Sequence, residues 1–211
     1  MRKTVLILLV LLFAAALPSF AQITKGSILL GGNLSFSSIK TEPSIGNEYT
    51  TRSYWVGPSI GVALKENRVF GVGLLAGKTK TGDSQNGLEY SNYGGLIYYR
   101  PYLPLGKNFF LFGQTSAAFT TSNNTHHING VLLDQQKQDV FSLSLYPGVS
   151  YAVNEKIHLE VGINNLVQLS YVNTEITTNS NTRNKSKGMS FDINAGSNAP
   201  LSIGFRIFLR K

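Results

Sequence analysis

The sequence predicts an all-β fold: an eight-stranded antiparallel up-and-down transmembrane β-barrel. Eight stretches alternate apolar and polar residues, and the gaps between them alternate short and long. The short gaps lie near Lys65–Arg68, Gly106–Asn108 and Asn154–Lys156. The long gaps lie near Lys40–Thr50, Lys80–Gly87, Asn123–Gln138 and Asn173–Lys187. A barrel that crosses a bacterial outer membrane has this layout, with short periplasmic turns and long extracellular loops.

An export signal is predicted at the start of the chain. Arg2 and Lys3 precede Val5–Leu17, a run of 13 apolar residues, and Ser19 and Ala21 then form a small-x-small cleavage pattern. This order is typical of a secretory signal peptide. The alternative, a membrane anchor helix, is disfavoured because a spanning helix needs about 20 apolar residues. We therefore expect a signal peptide over residues 1–21, a barrel domain over residues 22–211, and location in the cell outer membrane.

Composition narrows the function classes. The chain has no cysteine, which excludes a disulfide scaffold and thiolate metal sites. It has no phosphate-binding loop, dinucleotide fingerprint or zinc motif, so we expect neither a cofactor nor a metal. The net charge of +8 is compatible with binding to nucleic acid. Because the charges are spread over loops and turns, we expect them to meet lipopolysaccharide phosphates or solvent, with no nucleic-acid partner.

Alternation sets the faces of the first four strands, predicted over Ile28–Ile39, Arg52–Leu64, Val69–Thr79 and Glu89–Leu103. Side chains two residues apart lie on the same face of a strand. In the first strand Leu34 and Phe36 therefore lie on one face, and Asn33 and Ser35 lie on the other. The second and third strands alternate in the same way, with glycine, serine and alanine on the small face. In the fourth strand, Arg100 falls on the inward face.

The last four strands are predicted over Phe109–Thr121, Val140–Val153, Ile157–Val172 and Met189–Leu209. The parity of the fifth strand is ambiguous because Phe109–Phe112 is continuously apolar, but Gln114 and Ser116 favour even positions inward. In the seventh strand Val161, Ile163, Val167 and Leu169 are predicted to touch lipid while Glu160, Asn164 and Gln168 line the lumen.

A soluble sandwich or lipocalin-like barrel is the alternative to a membrane barrel. Two features disfavour it. The apolar face of the sixth and seventh strands is longer than that of most soluble strands. The opposite face carries Gly, Ser and Asn rather than charges, which suits the narrow lumen of an eight-stranded barrel.

Aromatic residues near strand ends predict the girdles that mark the two membrane interfaces. The alternative is that Tyr is simply common in strands. The residues assigned to the girdles are Tyr54, Tyr90, Tyr93, Tyr99, Tyr102, Phe109, Phe110, Tyr146, Tyr151 and Tyr171.

With this strand count, loop pattern and small inward face, Ile28–Leu209 resembles the small outer-membrane β-barrel family of OmpA/OmpX type, also known as porin-family or outer-membrane β-barrel domain proteins. Members end in an alternating strand closed by an aromatic residue that the assembly machinery reads. Here Ile203, Phe205 and Ile207 alternate, and Leu209 stands in place of the final aromatic. The resemblance implies outer-membrane lipids, lipopolysaccharide and the assembly machinery as partners, and a monomer.

Three charged residues, Glu160, Arg206 and Arg100, form the candidate site. Each falls on the inward parity, about four or five residues from the predicted periplasmic end of its strand. A charge inside a packed barrel must be paired. We therefore expect a lumen charge network in which Glu160 bonds Arg206 on the neighbouring strand, with Arg100 within reach.

Adjacent histidines in the third long loop raise two further hypotheses. His126 and His127 could ligate a metal, but no carboxylate or third histidine sits at a useful spacing, so we expect a solvated pair. Some small barrels are lipid A-modifying enzymes that use His with Ser or Asp. The residues of the right type are Ser122, His126, His127, Asp134 and Asp139, but no motif fixes their geometry.

The sequence thus predicts a non-enzymatic outer-membrane protein with a narrow or plugged lumen, acting in envelope integrity or in surface binding through its outer loops. One alternative is a small-solute channel, which would need a continuous wet lumen. The large inward side chains, Trp55, Tyr98, Arg100 and Arg206, disfavour it. The other alternative is the lipid A-modifying enzyme.

Overall fold

The computed structural model describes residues 22–42, 48–82, 87–106, 108–129, 131–178, 182–194 and 201–209. The predicted signal peptide, residues 1–21, lies outside this part of the chain. The strands are β1 (Ile28–Thr41), β2 (Tyr49–Lys65), β3 (Arg68–Gly82), β4 (Gly87–Pro104), β5 (Phe109–Ile128), β6 (Val131–Ala152), β7 (Ile157–Ile163), β8 (Val167–Thr178), β9 (Arg183–Ile193) and β10 (Leu201–Leu209). Among the described residues, no helix is long and apolar enough to cross a membrane.

Eight of these strands close into a ring in the order β1–β2–β3–β4–β5–β6–β7–β10. Each neighbouring pair is antiparallel, and β10 returns to β1 through Leu30 opposite Ile207. Strands β8 and β9 lie outside the ring. β8 pairs with the part of β6 from Asp134 to Leu145, and β9 pairs with β8. The predicted eight-stranded antiparallel barrel is confirmed, with a two-stranded extension.

The extension arises because the predicted seventh and eighth strands are each divided. The seventh breaks at Asn164–Leu166, where Asn165 adopts a φ of 49°. Asparagine tolerates this left-handed conformation better than most residues, so the chain turns there and continues as β8. The eighth is divided into β9 and β10, and residues 195–200 between them lie outside the described residues.

The segments assigned to long loops continue the wall as β-hairpins. Strands β5 and β6 pair from Phe109 opposite Tyr151 up to Ile128 opposite Val131, so most of Asn123–Gln138 is strand. In the same way, Asn173–Thr177 of β8 pair with Arg183–Lys187 of β9. These residues include many Thr and Gln, and they extend the ladder because each strand finds backbone partners on a neighbouring strand. We call this end the long-hairpin end and the other the short-turn end.

Along most strands apolar side chains point outward, and small, polar or, toward the short turns, aromatic side chains point inward. On β7, Val161 is exposed while Glu160 is buried. On β5, Phe110 and Phe112 are buried while Phe109 and Leu111 are exposed, which confirms the inward assignment of even positions. The exposed apolar face is the surface that the fold offers to lipid.

The aromatic residues divide between the two faces, which corrects the girdle assignment. Tyr102 and Phe110 are buried inside the barrel, and Tyr146 packs against the same interior cluster. The ring of Tyr90 lies 6.3 Å from that of Trp55. Exposed aromatic side chains remain at both ends, namely Tyr54, Tyr93 and Tyr171 toward the long hairpins and Tyr99, Phe109 and Tyr151 toward the short turns.

A charge placed on the lipid-facing surface tests this orientation. Val161→Arg puts a guanidinium in the apolar band and should destabilise the barrel by about 2–4 kcal/mol. Val161→Ala removes the same apolar group without adding a charge and serves as the matched control. Urea unfolding of the refolded protein in lipid vesicles measures both. Equal losses for the two variants would mean that position 161 does not face lipid.

Candidate functional site

Three charged side chains from three strands meet in the lumen: Arg100 from β4, Glu160 from β7 and Arg206 from β10. Arg100 Nη1 donates to both carboxylate oxygens of Glu160, at 2.7 and 2.8 Å. Arg206 Nε donates to Glu160 Oε2 at 3.1 Å. The structure therefore brings all three residues of the candidate site into one cluster, with Glu160 shared between two guanidinium groups.

The cluster is buried and carries one unit of excess positive charge. The side chains of Arg100 and Glu160 are 1% and 2% exposed, and that of Arg206 is 17% exposed. Removing such charges from water is expensive, so each needs good partners. Gln114 accepts a hydrogen bond from Arg100 Nε at 2.9 Å, and Tyr102 donates to Glu160 at 3.2 Å. These polar neighbours help to offset the cost of burial.

Strand register and one glycine make room for the cluster. Glu160 lies directly opposite Gly204 on β10, and Arg206 is two residues further along the same face. The guanidinium of Arg206 reaches across Gly31 of β1, where a Cβ atom would collide with it. Gly31 is therefore needed as open space beside the charges. Arg206 Nη1 then donates to Ser59 at 3.3 Å.

An aromatic layer lies beneath the charges, toward the short-turn end. The ring of Tyr102 lies 6.1 Å from that of Phe110, and the ring of His158 lies 4.5 Å from that of Phe208. The guanidinium carbon of Arg100 lies 4.5 Å from the centre of the Phe112 ring, a cation–π contact. Sequence reasoning missed this layer. Parity could have found part of it, because Tyr102 shares the inward parity of Arg100.

A polar cavity of about 440 Å³ lies above the charges. Arg206 and Tyr98 lie at its floor. The hydroxyl of Tyr98 and Nη2 of Arg100 are buried and have no hydrogen-bond partner among the described residues. The walls carry small hydroxyl and amide side chains, among them Asn33, Ser116 and Gln168, together with apolar residues such as Leu96 and Ala118.

A second concave surface, of about 580 Å³, lies on the wall near the long-hairpin end, and we call it the outer groove. It contains the cations Arg52, Lys78 and Lys80 and the carboxylate of Glu89, next to Tyr54. Lys80 Nζ lies 2.9 Å from Glu89, which Lys78 also contacts. The two ammonium groups lower the pKa of Glu89, so this carboxylate stays ionised at lower pH than a free glutamate. The groove still has a cationic excess.

The structure corrects the expectation that no carboxylate lies near the paired histidines. His126 lies opposite Asp134 in the β5–β6 ladder, with 3.6 Å between Nδ1 and Oδ2. Spacing along the chain did not reveal this pairing across strands. Within the described ranges, no group of three His, Asp or Glu side chains could hold a metal. Ser122 donates to the carbonyl of Gln138, and no described hydrogen bond joins it to a histidine.

A closed antiparallel barrel with an apolar exterior and a polar interior defines the class of protein: a membrane β-barrel. Residues 7–198 match the family described as the outer membrane protein beta-barrel domain, and the chain belongs to that family. The resemblance drawn from the sequence is confirmed. No curated protein matches the chain closely.

A double-mutant cycle tests whether the lumen charges act as one unit. Glu160→Gln leaves two guanidinium groups without their counter-ion and should destabilise the barrel by about 3–5 kcal/mol. Arg206→Gln should cost less, because Arg100 still binds Glu160. The double variant should lose less stability than the sum of the single losses. Reversible unfolding in detergent measures all three. Losses that add within about 0.5 kcal/mol would show that Glu160 and Arg206 do not interact.

Proposed function

We propose that the protein is a non-enzymatic outer-membrane barrel with a lumen closed near its periplasmic end. In this proposal it acts from the outer surface, in envelope integrity or surface binding. The observation that supports closure best is the buried cluster of Arg100, Glu160 and Arg206 above the aromatic layer. Side chains from opposite walls meet there, and two of the three charged groups are almost completely shielded from solvent.

A small-solute channel is the weaker alternative. A channel needs a continuous column of water, and charged groups along such a column would be solvated. Arg100 and Glu160 are instead bound to each other and surrounded by Tyr102 and Phe112. The burial of this pair therefore favours a closed lumen, with the polar cavity reaching only part of the way down the barrel.

Conductance across a planar bilayer tests closure. The unaltered barrel should show no steady current. Arg100→Ala combined with Glu160→Ala removes the two most deeply buried charges together, leaves only the partly exposed Arg206 without its carboxylate, and should open a measurable current. Glu175→Ala, at the exposed long-hairpin end, is the control and should leave the barrel silent. A steady current through the unaltered barrel would contradict the proposal.

The outer groove is the surface that we propose for lipopolysaccharide. Arg52, Lys78 and Lys80 face outward just beyond Tyr54, where the apolar band ends. Phosphate groups of an outer-leaflet lipid would lie at this depth, and the cationic excess of the groove would attract them. Glu89 holds two of the cations in place from the neighbouring strand.

Removal of one groove charge should weaken binding of lipid A. A charge near a membrane surface contributes about 1 kcal/mol, so Arg52→Gln should lower affinity roughly fivefold. Lys65→Gln, at the short-turn end, is the matched control and should change nothing. Native mass spectrometry of the barrel with lipid A, and with its dephosphorylated form, measures the difference. Equal binding of both lipids would contradict a phosphate site.

The proposal that the protein is not a lipid A-modifying enzyme can be tested separately. His126 and Asp134 form a pair, but the hydroxyl of Ser122 donates to the carbonyl of Gln138 and not to the histidine. The mass spectrum of lipid A should be the same in cells with and without the gene. A modified lipid A that depends on the gene would support the enzyme alternative instead.

We expect the barrel to be a monomer inserted by the outer-membrane assembly machinery.

A further inference from the structure

In the part of the chain that the structure describes, the ring closes over only a short stretch between β1 and β10. These strands pair over only three residues each, Ile28–Leu30 with Ile207–Leu209. Among the described residues, the rest of β1 pairs only with β2, and the rest of β10 pairs only with β7. We call the gap between Gly31–Phe36 and Leu201–Arg206 the seam. It faces the membrane, where unpaired backbone groups are costly.

Side-chain exposure marks the same gap. If the β1–β10 register were continued, Leu34 would lie opposite Ile203. These side chains are 85% and 84% exposed, whereas Val161, which pairs with Ile203 on the other side of β10, is 49% exposed. A lipid-facing residue inside a complete wall is covered on both sides by neighbouring strands. Among the described residues, no strand covers Leu34 and Ile203 on the side of the seam.

The seam connects the membrane with the polar cavity in the lumen. Residues from both of its edges line the cavity, including Gly32, Asn33, Ile203 and Phe205. Gly32 has a φ of 156°, and β1 departs from β10 at this point. A Cβ atom placed on Gly204 would meet nothing within 4 Å. The lack of a side chain at Gly204 therefore leaves a window beside the cavity floor.

The groups behind the window favour an anion. Glu160 neutralises only one of the two guanidinium groups that it binds, and Arg206 is the one partly exposed to the cavity. Tyr98 lines the same cavity with a buried hydroxyl that has no described partner. A negatively charged group entering from the seam would meet a guanidinium and a hydroxyl able to donate to it.

We propose that the seam admits a single-chain amphiphile with one anionic head group, of the fatty-acid class. The alkyl chain lies along Leu34, Ile203 and Phe205 at the membrane face and covers the unpaired edges. The carboxylate passes the window at Gly204 and binds Arg206 and Tyr98. The site does not require a path through the barrel, because the aromatic layer lies below it, so this proposal stands apart from lumen closure.

Binding of palmitate to the purified barrel in a neutral maltoside detergent tests the site. We expect saturable binding of carboxyl-labelled palmitate, measured by NMR, and at least about tenfold weaker binding of hexadecanol, which has the chain without the charge. Gly204→Phe fills the window and should reduce palmitate affinity by a similar factor. Gly188→Phe on β9 is the matched control, because its Cβ would also meet nothing within 4 Å, and it should bind normally.

A disulfide engineered across the seam gives a second test, because it can be formed and reduced at will. The chain has no native cysteine that would interfere. A disulfide between Leu34→Cys and Ile203→Cys would hold the seam shut, so oxidation should abolish palmitate binding and reduction should restore it. A disulfide between Leu30→Cys and Ile207→Cys joins residues that are already paired and should have no effect. Equal binding of acid and alcohol, or unchanged binding in Gly204→Phe, overturns the proposal whether or not the seam disulfide forms.

Discussion

The bond of one carboxylate to two guanidinium groups is the interaction on which the interior depends. Glu160 joins β7 to β4 through Arg100 and to β10 through Arg206, so it ties opposite walls of a narrow barrel together. Burial of any one of these charges alone would be prohibitive. The small inward residues, Gly31 beside Arg206 and the polar neighbours of Arg100 all serve to accommodate this cluster.

The cluster also divides the barrel along its axis. Toward the short turns, Tyr102 and Phe110 belong to a tightly packed aromatic interior. Toward the long hairpins the inward residues are serines, asparagines and glutamines, and a cavity opens. The wall then continues beyond the apolar band as paired strands that carry most of the exposed charge. The barrel is thus closed toward the short-turn end, polar inside toward the long-hairpin end, and charged where the long hairpins leave the apolar band. This arrangement favours a function at the outer surface.

Period-two alternation predicted the closed eight-stranded ring and its faces, and it placed Glu160, Arg100 and Arg206 on one interior surface. It could not predict what depends on pairing between strands. The pair of His126 with Asp134 and the extension of β5 and β6 through Asn123–Gln138 arise from ladders between distant residues. The turn at Asn165 and the seam depend on local backbone angles that alternation does not encode. Tyr102 was misassigned because position near a strand end was weighed above parity.

Exchange of the Arg100 guanidinium protons with water tests the central claim most directly. In the folded barrel labelled with nitrogen-15 arginine, the signal of Arg100 should exchange slowly with water and resist broadening by a soluble paramagnetic chelate. Exposed arginines such as Arg52 provide the internal reference. Slow exchange at Arg100 with fast exchange at Arg52 is the result that a buried, paired cluster predicts. Exchange at Arg100 as fast as at Arg52 would mean that water passes through the lumen, which would contradict a buried and paired cluster.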